Sequence, residues 1–258
     1  MRKFNVIAAI LGLGLGFAAA APAAHAVSFI PQQEGEIILE NDKFNNGEDY
    51  TCIAGENCID TSELGFSVTS LDYDTDNKPP QYGLSRLFVD KKGTENSYGL
   101  GIWFGANDAG TNEVGDEYWF RSVAYVEGED GNYTPDEGGQ LEIGRFQFDF
   151  DKVYEKIVLD LFDIESSGFT GILEVNGQSV EDMLLDGGVD GNTQQLTLTN
   201  VESFVLQLGQ PQAEGFSTGD GVTLSGIQSV PEPTTTLSLG ALAVAGMFGV
   251  KKRKNLKK

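Results

Sequence analysis

"QLEIGRFQFDF", beginning at Gln140, and "KIVLDLFDIE", beginning at Lys156, decide the fold between them. Side chains alternate across a strand, so a half-buried strand reads apolar at every second position. In the first stretch Leu141 and Ile143 share one parity, while Phe146, Phe148 and Phe150 take the other. A one-residue slip at Gly144 and Arg145 accounts for the change, and a β-bulge would produce it. The second stretch is apolar on both parities, as expected for a strand covered on both faces.

Outward from this centre the pattern repeats. "FSVTSLDY" from Phe66, "YGLGIWFG" from Tyr98 and "EYWFRSVAYVEG" from Glu117 all alternate. "GILEVNG", "QQLTLTN", "SFVLQLG" and "GVTLSGIQ" follow, divided by loops of Gly, Asp and Asn. "TNVES", from Thr199, has the length of a hairpin connection between two of them. Nothing between Val27 and Val230 sustains a helical period beyond two turns. Nine or more short strands predict an all-β, antiparallel β-sandwich, jelly-roll-like, over residues 27–229. A barrel is the alternative that strand patterns do not separate from it.

The ends of the chain carry other information. Arg2 and Lys3 precede an apolar run of small residues, and Ala24-His25-Ala26 supplies the small-x-small pattern that signal peptidase reads. Residues 1–26 are thus expected to be a signal peptide, leaving Val27 at the start of the exported body. At the other end Val230-Pro231-Glu232-Pro233 leads into an uncharged stretch at 234–250 and a basic tail at 251–258 that opens with Lys251, Lys252, Arg253 and Lys254. Those 17 uncharged residues span about 25 Å as a helix, slightly under a bilayer core of about 30 Å. The basic cluster sets the orientation, with the C-terminus in the cytoplasm and the Pro-Glu-Pro outside.

Order and spacing of these residues resemble the PEP-CTERM sorting signal of Gram-negative bacteria. The resemblance implies transient inner-membrane anchoring, cleavage by an exosortase near residues 230–233, and transfer of the body to the cell surface or medium. Leu141-Glu142-Ile143-Gly144, with its aromatic surroundings, is similar to the name-giving tetrapeptide of the cyanobacterial LEVG group of such proteins, with Ile for Val.

Composition restricts what the body does. Of 17 Lys and Arg, eight lie in the two terminal segments, and of 39 Asp and Glu only Glu232 does, so the body is near 9 − 38 = −29. Such a surface repels nucleic acid and anionic lipid and attracts divalent cations. The single histidine, His25, falls in the signal peptide. The body therefore has no residue for Ser-His-Asp or Cys-His catalysis or for a His-ligated metal. Cys52 and Cys58 are the only cysteines, and in an oxidising compartment they predict a disulfide rather than a zinc site.

Two stretches are candidate sites. Asp72, Asp74 and Asp76 open like an EF-hand calcium loop, but Asn77 and Gly83 stand where that loop needs Gly and Glu. An acidic turn is the simpler reading, with a calcium site of another geometry as the alternative. Trp103 and Trp119, with Phe104, Tyr118 and Phe120, form either core or a sugar-stacking platform. No nucleophile elbow or phosphate loop is present. The expectation is a non-enzymatic cell-surface or extracellular-matrix protein, structural or adhesive, acting with exopolysaccharide or biofilm. A carbohydrate-binding module, calcium-assisted, is the first alternative and an exported carboxylate hydrolase the second.

Overall fold

The computed structural model describes residues 27–41, 52–73, 82–91, 93–105, 118–127, 129–130, 133–135, 143–164, 166–189, 191–209 and 223–229. Residues 1–26, expected to be a signal peptide, the sorting tail, Asp74, Asp76, Leu141 and Glu142 lie outside these residues. Secondary structure among the described residues is β throughout, apart from three single-turn 3₁₀ segments.

The strands are β1 (Val27–Ser28), β2 (Gly35–Ile37), β3 (Cys58–Ile59), β4 (Phe66–Leu71) and β5 (Arg86–Lys91). Next come β6 (Asn96–Gly99), β7 (Ile102–Phe104), β8 (Tyr118–Val123), β9 (Tyr125–Glu127) and β10 (Tyr133–Pro135). The series ends with β11 (Gly144–Phe162), β12 (Gly171–Val175), β13 (Gln178–Ser179), β14 (Thr193–Leu208) and β15 (Thr223–Ser229). Eleven form one sheet, while β6–β7 and β9–β10 are separate two-stranded ribbons. All pairs are antiparallel except β2–β3, which is parallel, a departure from the antiparallel expectation.

The pair β11–β14 is the spine. β14 runs along one edge of β11 for nearly its whole length. The other edge is shared, with β4 on residues 145–150 and β15 on residues 157–162. Ile157, Val158, Leu159, Leu161 and Phe162 are all buried, which matches the two-parity pattern of that stretch. β4 alternates as its sequence predicts, with Phe66, Val68 and Ser70 buried.

Two local readings are corrected. No bulge lies at Gly144 and Arg145, because register with β14 is unbroken from Gly144 to Asp149. The parity change arises because Ile143 packs with Tyr73, Tyr82 and Ala124, whereas Phe146 and Phe148 enter the main core. The true irregularity falls between Asp149 and Tyr154, where residues 150–153 of β11 face Glu202 alone. Nor does "TNVES" form a hairpin turn, since β14 is continuous through it. Asn200 instead takes a left-handed φ of 53°. Asn176, between β12 and β13, clamps this bend: its Oδ1 accepts from the Glu202 and Ser203 amides at 2.8 and 3.1 Å. Its Nδ2 donates to the Asn200 carbonyl at 2.7 Å.

Phe66, Phe148, Phe150 and Phe204 fill the core beside the spine, with Phe148 and Phe204 stacked at 4.9 Å. Phe120 of β8 meets Phe148 at 6.1 Å, so the β8 side of the sheet joins the same core. β1 pairs with the end of β15, Val27 opposite Ser229 and Ser28 opposite Gln228.

Candidate functional site

The pattern Arg86-Leu87-Phe88-Val89-Asp90 places charge on one face of β5 and hydrocarbon on the other. Register extends the division across three strands. Glu36 of β2 and Arg121 of β8 flank Phe88, while Asp90 opposes Trp119 and Arg86 opposes Val123. Leu87, Val89 and Phe120 occupy the opposite face. Both faces are covered: Glu36, Arg86, Asp90 and Arg121 are no more than 2 % exposed. The half-exposed alternation expected for "EYWFRSVAY" gives way to a strand buried on two sides.

Buried charges need partners, and each of these four has one. Arg86 Nη1 lies 2.6 Å from Glu36 Oε1, and its Nε donates to the Tyr125 hydroxyl at 2.8 Å. Glu36 Oε2 accepts from the Ile53 and Ala54 amides at 2.6 and 3.0 Å. Arg121 Nη1 reaches Asp90 Oδ2 at 3.0 Å while its guanidinium lies over the Phe104 ring at 4.3 Å. Burial pushes both carboxyls above the usual range, and the two guanidiniums pull the other way. Desolvating each ion costs several kcal/mol, about what a well-hydrogen-bonded partner returns. Such pairs fix strand order and register more than they add stability.

Glu36 also ties down the disulfide loop. Cys52 and Cys58 are bonded, as their isolation in sequence predicts, with Cα atoms 6.0 Å apart. The loop between them carries a 3₁₀ turn at Gly55–Asn57. A side chain at Gly35 would collide with the Asn57 carbonyl, so glycine there lets the loop lie against β2.

The β6–β7 ribbon closes over the ionic face. Tyr98 and Phe104 pack on Phe88 with ring centroids at 4.8 and 5.4 Å. At its tip Gly99, Leu100 and Gly101 all take left-handed φ, which makes the turn and leaves Leu100 66 % exposed. Ile102 and Phe104 point inward, and Trp103 between them is 51 % exposed. Trp119 is 1 % exposed. The two tryptophans therefore form no common platform: one is displayed and the other is core.

Asp72 is half of a smaller contact, its backbone carbonyl accepting from Arg145 Nη1 at 3.2 Å. Among the described residues no three Asp, Glu, His or Cys side chains converge as a metal site. Sequence reading missed β5 and with it Glu36, Arg86, Asp90 and Arg121. The available signal was charge at alternate positions, Arg86 and Asp90, flanking Phe88 in an otherwise apolar run.

Fold and site thus define an all-β domain with a buried ionic layer and a displayed aromatic ribbon. The PEP-CTERM protein-sorting motif matches residues 229–254, at the C-terminus, so the chain carries the tail of an exosortase substrate and of an exported protein. That match starts where β15 ends and does not reach Leu141-Glu142-Ile143-Gly144, so the LEVG likeness remains a resemblance. No curated protein matches the chain, and no solved structure does.

Proposed function

We propose that the mature chain is a non-enzymatic cell-surface or extracellular-matrix protein with a structural or adhesive role among exopolysaccharide or biofilm. The single observation that carries this is the sorting motif at 229–254, directly after the last strand of the body. Signal peptidase acts after Ala26, the tail anchors the chain briefly in the inner membrane, and exosortase cuts near residues 230–233. The bent sheet serves as the two layers of a jelly-roll-like sandwich, a reading supported by the contact of Phe120 with Phe148. The likeness of Leu141-Glu142-Ile143-Gly144 to the LEVG tetrapeptide supports a cyanobacterial affiliation.

Intact mass and fractionation of the protein recovered from cells and medium test the proposal. The expected result is a chain beginning at Val27 and ending near Pro231 to Pro233, in the envelope or medium. A full-length tail held in the inner membrane overturns it.

A second reading, carbohydrate binding, is favoured by one observation: the exposure of Trp103 on the ribbon. Flat rings stack on the apolar faces of sugars, and calcium at the Asp72–Asp76 turn would assist. Retention on immobilised extracellular polysaccharide should fall at least tenfold in Trp103→Ala, an effect of about 1.4 kcal/mol or more. Unchanged retention removes this reading.

A further inference from the structure

The two edges of β14 are used unequally. Along one it pairs with β11 for nearly its whole length. Along the other, β12 covers residues 204–207, and the Asn176 side chain holds the bend from Asn200 to Ser203. Over residues 193–199 this second edge is open, and among the described residues no strand pairs with it. Other edges of the sheet are tied or short. On β4 the Val68 carbonyl accepts from the Glu40 amide at 2.9 Å, and the Asn41 amide bonds both the N–H and the carbonyl of Ser70. At the ends of the sheet, β3 and β13 have two residues each.

Folded proteins guard a long free edge with charge, proline or a bulge. This edge has no such guard. "NTQQLTLTNV", from Asn192 to Val201, holds no charge, proline or glycine, although the body around it is strongly acidic. Thr193, Gln195, Thr197 and Thr199 are exposed on one face, while Leu198 is buried on the other and Leu196 packs partly against the core. On the adjoining β11 the nearest charges offset each other. Asp160 accepts from the Gln195 amide at 2.7 Å, and Lys156 lies opposite Thr199.

We infer that this edge pairs with the same edge of a second copy of the chain, antiparallel about a two-fold axis at Leu196, so that the large sheet runs on from one body into the next. A two-fold contact is self-complementary. It sets Thr193 opposite Thr199, Gln195 opposite Thr197, and Leu196 opposite its own counterpart. All these pairs are neutral, and threonine and leucine pack well across strands. Charge selects the occupant. Two acidic bodies repel over most of their surfaces and approach most easily where each presents an uncharged strip. A charged partner strand would find no counter-charge here, whereas the edge matches itself residue for residue. Such a seam is small, so the contact is reversible and fills at high local concentration. It goes beyond the proposed surface role and does not depend on where the chain is finally held.

Two exposed threonines test the register. Cells producing Thr193→Cys and Thr199→Cys chains together should form a disulfide-linked dimer containing one of each, since the two positions face each other across the seam. Cells producing either variant alone should form at least about tenfold less, because each cysteine then faces a threonine. Sedimentation of the protein recovered from cells tests the contact without cysteines. Wild type should associate with a Kd below about 1 mM, and more tightly as salt screens the acidic bodies. Gln195→Lys with Thr197→Lys sets like charges across the seam, the guard that natural edges use, and should weaken association about tenfold or more. Its urea midpoint should match wild type, since both positions face solvent. Wild type that stays monomeric at about 1 mM, cysteine variants that link equally well alone, or undiminished association in the lysine variant overturns the proposal.

Discussion

On one face of β8, β5 and β2, Phe120, Leu87, Val89 and Ile37 turn toward the core that holds Phe148. On the other face of the same strands, Glu36, Arg86, Asp90 and Arg121 lie in two ion pairs under the β6–β7 ribbon. Both faces are dry, but they discriminate differently between right and wrong structures. Hydrocarbon tolerates a neighbour of similar size with little loss. A buried guanidinium tolerates no change of partner, because a slip of one residue strands the charge. The apolar face supplies cohesion and the ionic face supplies register.

The sharpest way to break this comparison is to attack both faces equally. Phe148→Ala should cost about 3–5 kcal/mol by cavity formation. Arg86→Ala should cost a similar amount, about 3–5 kcal/mol, by leaving Glu36 buried without its cation. Urea unfolding measures both, and a loss under 1 kcal/mol for Arg86→Ala would show that the ionic face is wetter than described. Replacing both partners, Glu36→Leu with Arg86→Met, should recover part of that loss. It should not recover all, because the Ile53 and Ala54 amides lose their acceptor.

Next in size is the disulfide. Opening a loop of this length by Cys52→Ser with Cys58→Ser should cost about 2 kcal/mol in unfolding free energy. Hydrogen exchange should localise the loss to the Ile53 and Ala54 amides, and a uniform loss across β11 would contradict the local role.

Acidity separates the faces more gently. Burial raises the Glu36 and Asp90 carboxyls above their ordinary values of 4.5 and 3.8. In the window above those values the folded chain holds protons that the unfolded chain has released, so stability falls as pH rises. Melting temperature should therefore be higher at pH 5 than at pH 7, helped by relief of the excess negative charge. Asp60, lowered by its bonds to Ser62, acts only below 3.8 and does not oppose this. A lower melting temperature at pH 5 would mean that the ion pairs, not burial, dominate both groups.

The smallest effect belongs to the ribbon's outer surface. Trp103→Ala should change stability by less than about 0.5 kcal/mol, since half of the side chain is already in water. Trp119→Ala, one strand away in sequence, should cost about 3–5 kcal/mol. Equal losses would erase the distinction between displayed and buried tryptophan.

These contrasts also mark what was legible in sequence. Alternation in β4 and the two-parity run of β11 were plain because burial there follows hydrophobicity. β5 was illegible because Arg86 and Asp90 look like surface residues until their partners are known, and those lie 50 and 31 positions away. Ile143 misled for a related reason: it is buried, but in a different cluster from Phe146. Alternation reports that a side chain is covered and not by what. Of the candidate sites, the disulfide was legible from two isolated cysteines, while the ionic layer required register.

The pairing of β1 with β15 has a mechanical consequence. Val27 and Ser229 are direct partners, so the first and last described residues of the body lie side by side. A pull between those two points would first load the two residue pairs of β1 and β15 and would peel them apart one at a time. Ser229 is also the partner of Ile157, so once β1 had let go the strain would pass directly to the middle of β11. A domain hung from such a seam yields at its short edge strand before its long spine, in the manner of a fuse.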